Sequence, residues 1–263
     1  MQWLFLFTPL LVQLVVLYVL SSAMNRLAYT MLGKGFYLLI MWPGVIVHEL
    51  SHLIGCLLTG TRVFEVKLFS PREESPGNLV LGYVTHAKPR NPFAQFIVSA
   101  APFFGGAAAL WGILYFIAPK ALRGLGVPLV FGAGRGVTVT LATAATSFAA
   151  FSSSLAGSLD WHSWKAYVAA LVLFSVAVHI APSRHDMKYA LVGASSIAVL
   201  VAIAAWLGGR YAPLATFRVA GWVARAVAAI TVLLGYGLAC VVLATALLFG
   251  VAALLRLVGL RKR

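Results

Sequence analysis

From Trp3 to Ala23 the chain carries no charged side chain, and apolar stretches of this kind recur almost to its last residues. About 20 apolar residues wound as a helix cross the hydrocarbon of a bilayer. A soluble fold has nowhere to bury so many such segments: 62% of the residues are hydrophobic and 10% charged, against roughly 45–50% and 25% in soluble domains. The sequence therefore predicts an all-α polytopic membrane protein, with residues 1–263 forming a single integral membrane domain.

Six spans are expected: Trp3–Ala23, Phe36–Leu58, Pro92–Ile117, Ala166–Ala181, Tyr189–Leu207 and Val219–Leu255. The first lacks a basic leader and a small-residue cleavage site, so it reads as a retained helix. Gly136–Leu159 is also uncharged but rich in Ser, Thr, Ala and Gly. It reads as a seventh span, a re-entrant segment or an interfacial helix, and six spans are preferred for the reason given below. The third span carries a patch of small residues, Ser99–Ala109, that lets another backbone approach closely. Cys56 and Cys240 lie in separate apolar runs and form no C-x-x-C pair, so neither a disulfide framework nor a thiolate metal site is expected.

Twenty Lys and Arg against six Asp and Glu give a net charge of +14. In a soluble protein this balance would point to nucleic acid. Here the basic residues sit in short loops and at the C-terminus, where they anchor helices at anionic headgroups of the lipid bilayer and set topology. No nucleic-acid partner is expected. With six spans, the side that receives Arg62, Lys67, Arg72, Lys88, Arg90 and the C-terminal basic cluster carries the larger positive charge. The positive-inside rule makes that side, and both termini, cytoplasmic.

Residues 61–91 change character. Val63–Phe69 and Leu79–His86 are rich in β-formers, and the turn-rich Ser70–Asn78 separates them. A small β-hairpin with a nine-residue loop is expected directly after the second span.

The second span holds the sequence His48-Glu49-Leu50-Ser51-His52. On a helix, positions i and i+4 share a face, so both imidazoles reach one metal ion. Glu49 is rotated about 100° from His48, beside a metal-bound water and outside the ligand set. Zinc brings that water's pKa to about 7, and the carboxylate takes its proton as the water attacks a carbonyl. Six histidines and four glutamates produce this spacing by accident only on the order of 0.002 times in a chain of this length.

A catalytic zinc takes three protein ligands and leaves one position for water. The remaining acidic residues are Glu65, Glu73, Glu74, Asp160 and Asp186, and the remaining histidines are His86, His162, His179 and His185. Those in or beside the hairpin read as solvated charge. Asp160 and His162 flank Trp161 in what reads as an interfacial belt. His179, His185 and Asp186 remain, around the helix-breaking Pro182. With six spans the second and fourth run toward the same side, which returns this segment to the depth of His48 and His52. A seventh span would send it to the opposite face.

Together these features resemble the site-2 proteases, a family of intramembrane zinc metallopeptidases. The resemblance rests on HELSH in an early span, the hairpin after it, Ala101–Gly106 (APFFGG) in the next span, and the Pro182-to-Asp186 segment at a later helix break. It covers roughly residues 36–190, leaving about 189–258 as C-terminal helices. The chain has Ala101-Pro102 where the family has Gly-Pro followed by Asn, and His185-Asp186-Met187 where it has Leu-Asp-Gly. It looks like a divergent member without a PDZ domain. The resemblance implies a multi-pass protein of a prokaryotic plasma membrane that cleaves the transmembrane helices of membrane protein substrates. It implies Zn²⁺ as cofactor, Glu49 as general base, and His48, His52 and Asp186 as metal ligands, with His185 and His179 as alternatives for the third. Two other functions fit the same residues: an inactive metal-binding membrane scaffold, and a transporter with a buried His/Glu relay.

Overall fold

A computed structural model of the chain describes residues 2–75, 78–120, 149–150, 153–180 and 206–212, with scattered positions between 146 and 253 that include Asp186. The described elements are α1 (Gln2–Leu58), β1 (Val63–Lys67), β2 (Arg72–Ser75), β3 (Asn78–Val80), β4 (Tyr83–His86), α2 (Pro92–Ile117) and α3 (Trp164–His179). The molecule is mostly helical, with a small β element between its first two helices.

A straight helix of 57 residues would be about 85 Å long, far more than a bilayer. α1 avoids this at Gly33, whose φ of 75° and ψ of 160° are open to glycine and strained for other residues. The two arms, 2–32 and 34–58, fold back on each other. Tyr29 meets Tyr37 edge-on at 5.7 Å, the Tyr37 hydroxyl donates to Asn25 Oδ1 at 3.3 Å, and Met24 and Ala28 share a buried cluster with Tyr37 and Met41. The sequence suggests a connecting stretch between Ala23 and Phe36. Instead the helix runs on through 24–32, because Met24 and Ala28 gain a core that a loop would forgo, and a single residue makes the turn.

α1 ends where the sequence supplies a left-handed residue. Gly60 has φ 62°, Thr61 N–H reaches back to the Cys56 carbonyl at 2.8 Å, and Gly60 N–H reaches the Leu57 carbonyl at 3.2 Å. This pair of bonds closes the last turn. α2 starts at Asn91-Pro92: Asn91 Oδ1 accepts from Ala94 N–H at 2.8 Å, and proline occupies a position whose own N–H would have no partner. α3 starts at Ser163, whose Oγ accepts from Lys165 N–H at 3.3 Å.

The hairpin departs from expectation in its loop. β1 pairs antiparallel with β4, and β2 pairs with β3, so the Ser70–Asn78 stretch is itself partly strand. The β-rich run Leu79–His86 is divided at Gly82, and Ser70 N–H donates to the Leu81 carbonyl at 2.7 Å between the two ladders. Gly82 marks a close approach: a Cβ there would lie 2.9 Å from Glu49 Cγ and 2.7 Å from the Leu68 carbonyl oxygen.

The helices pack through small residues. A Cβ at Gly55 would lie 2.9 Å from Ala101 Cβ, and one at Gly105 would collide with Ser51, so α1 and α2 touch nearly backbone to backbone. α3 meets α1 in the same way at Gly44, where a Cβ would run into the Ser175 carbonyl. Ser175, fully buried, ties the pair: its Oγ accepts from Gly44 N–H at 2.9 Å and donates to the Met41 carbonyl at 3.2 Å. One core cluster joins Leu17, Phe103, Leu110, Leu114, Leu173 and Ile180.

Two segments, Gly33–Leu58 and Pro92–Ile117, are long and apolar enough to cross a membrane. Their outer faces are apolar as well: Leu39, Leu57 and Phe116 are 60%, 67% and 84% exposed. Segments of this length with large apolar side chains on their outer faces indicate a membrane protein. α3 has 16 residues, about 24 Å of helix. Most of the expected fifth and sixth spans, and most of Gly136–Leu159, lie outside the described residues.

Candidate metal centre

The second arm of α1 places His48 and His52 one turn apart on a single face, with ring centroids 5.0 Å apart. Asp186, buried beyond the end of α3, faces both. Its Oδ2 lies 3.8 Å from His48 Nε2 and 3.4 Å from His52 Nε2. One ligand atom from each of the three residues falls within 4.8 Å of the others. The sequence narrows the third partner to three residues; the structure brings Asp186 to the pair. His185 lies outside the described residues.

Backbone carbonyls fix the orientation of both rings. His48 Nδ1–H donates to the His179 carbonyl at 2.8 Å, and His52 Nδ1–H donates to the Val98 carbonyl at 2.9 Å. A carbonyl only accepts, so the proton of each neutral ring sits on Nδ1 and the lone pair on Nε2. Two lone pairs and a carboxylate oxygen then converge on one point. Three acceptors facing each other in a buried site repel unless a cation lies between them. A proton shared in a charge-assisted bond would draw N and O to about 2.7–2.9 Å, and the separations here are longer. The group can hold a metal ion, and tying the outer ring nitrogen to a carbonyl is how metal-binding histidines are usually held.

The two carbonyls have a common origin in interrupted helices. Within α2, the residue whose N–H would pair with Val98 is Pro102, which has none. The Val98 carbonyl is thus left for His52. α3 ends at His179, whose carbonyl is among the last-turn groups that lack an intrahelical donor, and His48 takes it. Sequence reasoning noted Ala101-Pro102 as part of a family resemblance and missed this use of Pro102.

Glu49, next to His48 in the chain, lines a cavity of about 360 Å³. Its walls include His48, His179, Tyr37, the hairpin residues Leu79–Gly82, and Ser21 and Asn25 from the first arm of α1. A second cavity of about 250 Å³ opens on the Asp186 side, between the chain after β4 and the start of α2, with His86, Lys88, Gln95 and Ser99 among its lining. Among the described residues, the other ligand candidates do not join the cluster. His179 contributes its carbonyl to His48, and its Nδ1–H is engaged with the Ser175 carbonyl at 2.9 Å. Glu65 accepts from the Tyr83 hydroxyl at 3.0 Å on the hairpin surface, and Asp160 and His162 are exposed before α3. No protein-family model, curated protein or solved structure matches the chain.

Proposed function

We propose that the protein is a zinc-dependent intramembrane endopeptidase that hydrolyses peptide bonds in or near the transmembrane segments of membrane protein substrates. One observation carries the reading: two histidine Nε2 atoms and a carboxylate oxygen converge within 4.8 Å, next to a glutamate that lines a cavity. Zinc takes nitrogen and oxygen ligands at about 2.0–2.2 Å, so a tetrahedral set has edges near 3.3 Å. The separations of 3.4 and 3.8 Å to Asp186 are close to that. The resemblance to the site-2 proteases supports the same assignment.

In this reading His48, His52 and Asp186 hold the ion, and the carboxylate offsets part of its charge where an unpaired charge is costly. Bound there, zinc supplies Lewis acidity to the attacked carbonyl and makes water a nucleophile near neutral pH. Glu49 is the general base: it takes the proton of the attacking water and returns it to the leaving amine. The glycine at 82 keeps the hairpin from crowding its side chain. The surrounding architecture is a bundle of about six spans in a prokaryotic plasma membrane, with both termini in the cytoplasm.

Glu49→Gln tests the reading. It keeps the shape of the side chain and removes its basicity. Zinc content is expected to equal that of the wild type, while turnover of a single-span substrate falls about 10²–10⁴-fold. Wild-type turnover in this variant would rule the mechanism out.

A further inference from the structure

The first arm of α1 carries a group of polar residues along one edge of the cavity beside Glu49. Tyr18, Ser21, Ser22 and Asn25 recur there at helical spacing, and all four line the cavity. Ser22 Oγ is engaged, donating to the Tyr18 carbonyl at 2.8 Å. Ser21 is different. It is 3% exposed, and its Oγ has no hydrogen-bond partner. Asn25 accepts from the Tyr37 hydroxyl at 3.3 Å through Oδ1, which leaves its Nδ2 donors unused among the described residues. A polar side chain within a membrane helix is costly unless paired, and such groups characteristically mark a site.

The rest of the lining suits a particular ligand. Val45, Leu79, Leu81 and Val178 add apolar side chains to the same cavity. A ligand matching this lining has backbone amides for the polar groups and apolar side chains for the rest. A transmembrane helix opened for cleavage has this character: its freed N–H and C=O groups need new partners away from water, and its side chains are hydrophobic.

We infer that Ser21 and Asn25 form a subsite that binds the unwound backbone of the substrate beside Glu49. The Asn25 amide donates to a substrate carbonyl, and the Ser21 hydroxyl pairs with a neighbouring backbone group. The inference rests on the peptidase reading and specifies how that site takes its substrate.

The test uses the full-length protein in detergent. The probe is a synthetic Leu/Ala transmembrane peptide with lysine flanks, and a set of analogues in which single central amides are replaced by esters. An ester removes one N–H and weakens one carbonyl acceptor. Against the wild type, esters at one or two positions near the cleaved bond are expected to lower kcat/KM about five- to tenfold, the effect of one hydrogen bond. In Asn25→Leu and Ser21→Ala, kcat/KM on the all-amide peptide falls by a similar factor and the sensitivity to those esters disappears. Zinc content stays at the wild-type level. Variants with wild-type kcat/KM, or with undiminished sensitivity to every ester, overturn the subsite.

A second arm does not depend on turnover. In Glu49→Gln protein with Cys56→Ala and Cys240→Ala, Asn25→Cys is expected to form a disulfide with a cysteine moved residue by residue through the peptide centre. No crosslink at any position overturns the subsite. Crosslinks with a wild type that cleaves none of the peptides would uphold the subsite and contradict the peptidase reading.

Discussion

The three residues of the histidine–glutamate motif are legible in the sequence because helical spacing alone puts them on adjoining faces. The third ligand is not, since its place depends on how α1 and the segment after α3 meet. Three candidates around Pro182 survive elimination, and the structure separates two of them: Asp186 Oδ2 faces both Nε2 atoms, while His179 offers its carbonyl to His48. Asp186→Ala is therefore expected to lose zinc and activity together. His179→Ala keeps its carbonyl and is expected to retain most of its zinc. Zinc quantification on the two purified variants checks this, and full occupancy in Asp186→Ala would remove it from the ligand set.

At the scale of elements, the same helix interruptions that limit regularity also orient the site. Pro102 leaves the Val98 carbonyl without its helical donor, and His52 uses it at 2.9 Å. Pro102→Ala restores an N–H that competes for this carbonyl. Two opposite effects are expected: a more regular α2, and zinc affinity reduced about tenfold, at the low end for a lost supporting bond. Chelator competition measures the affinity, and an unchanged zinc Kd would show that the proline does not act through His52. The elements themselves were partly legible. The third expected span, Pro92–Ile117, coincides with α2, and the small-residue patch anticipates its close packing. The turn at Gly33 and the split hairpin were not, because each is decided by distant contacts: Tyr29 on Tyr37, and Gly82 against Glu49.

For the whole molecule, composition already points to the bilayer, and the apolar outer faces of the second arm of α1 and of α2 agree with it. The span count follows from charge and length reasoning that extends to segments mostly outside the described residues. It carries a direct expectation: with six spans, a cysteine at Ser75 and one added at the C-terminus both react with reagent from the cytoplasmic side. Labelling from opposite sides would require another span. The central claim joins this architecture to the metal centre, and zinc-dependent cleavage in reconstituted vesicles tests it most directly. The purified protein, holding about one zinc per chain, is expected to cut a single-span substrate within its membrane segment, to stop when the zinc is stripped, and to recover when about one equivalent is returned. Cleavage that persists in zinc-free protein, or none at full occupancy, would contradict it.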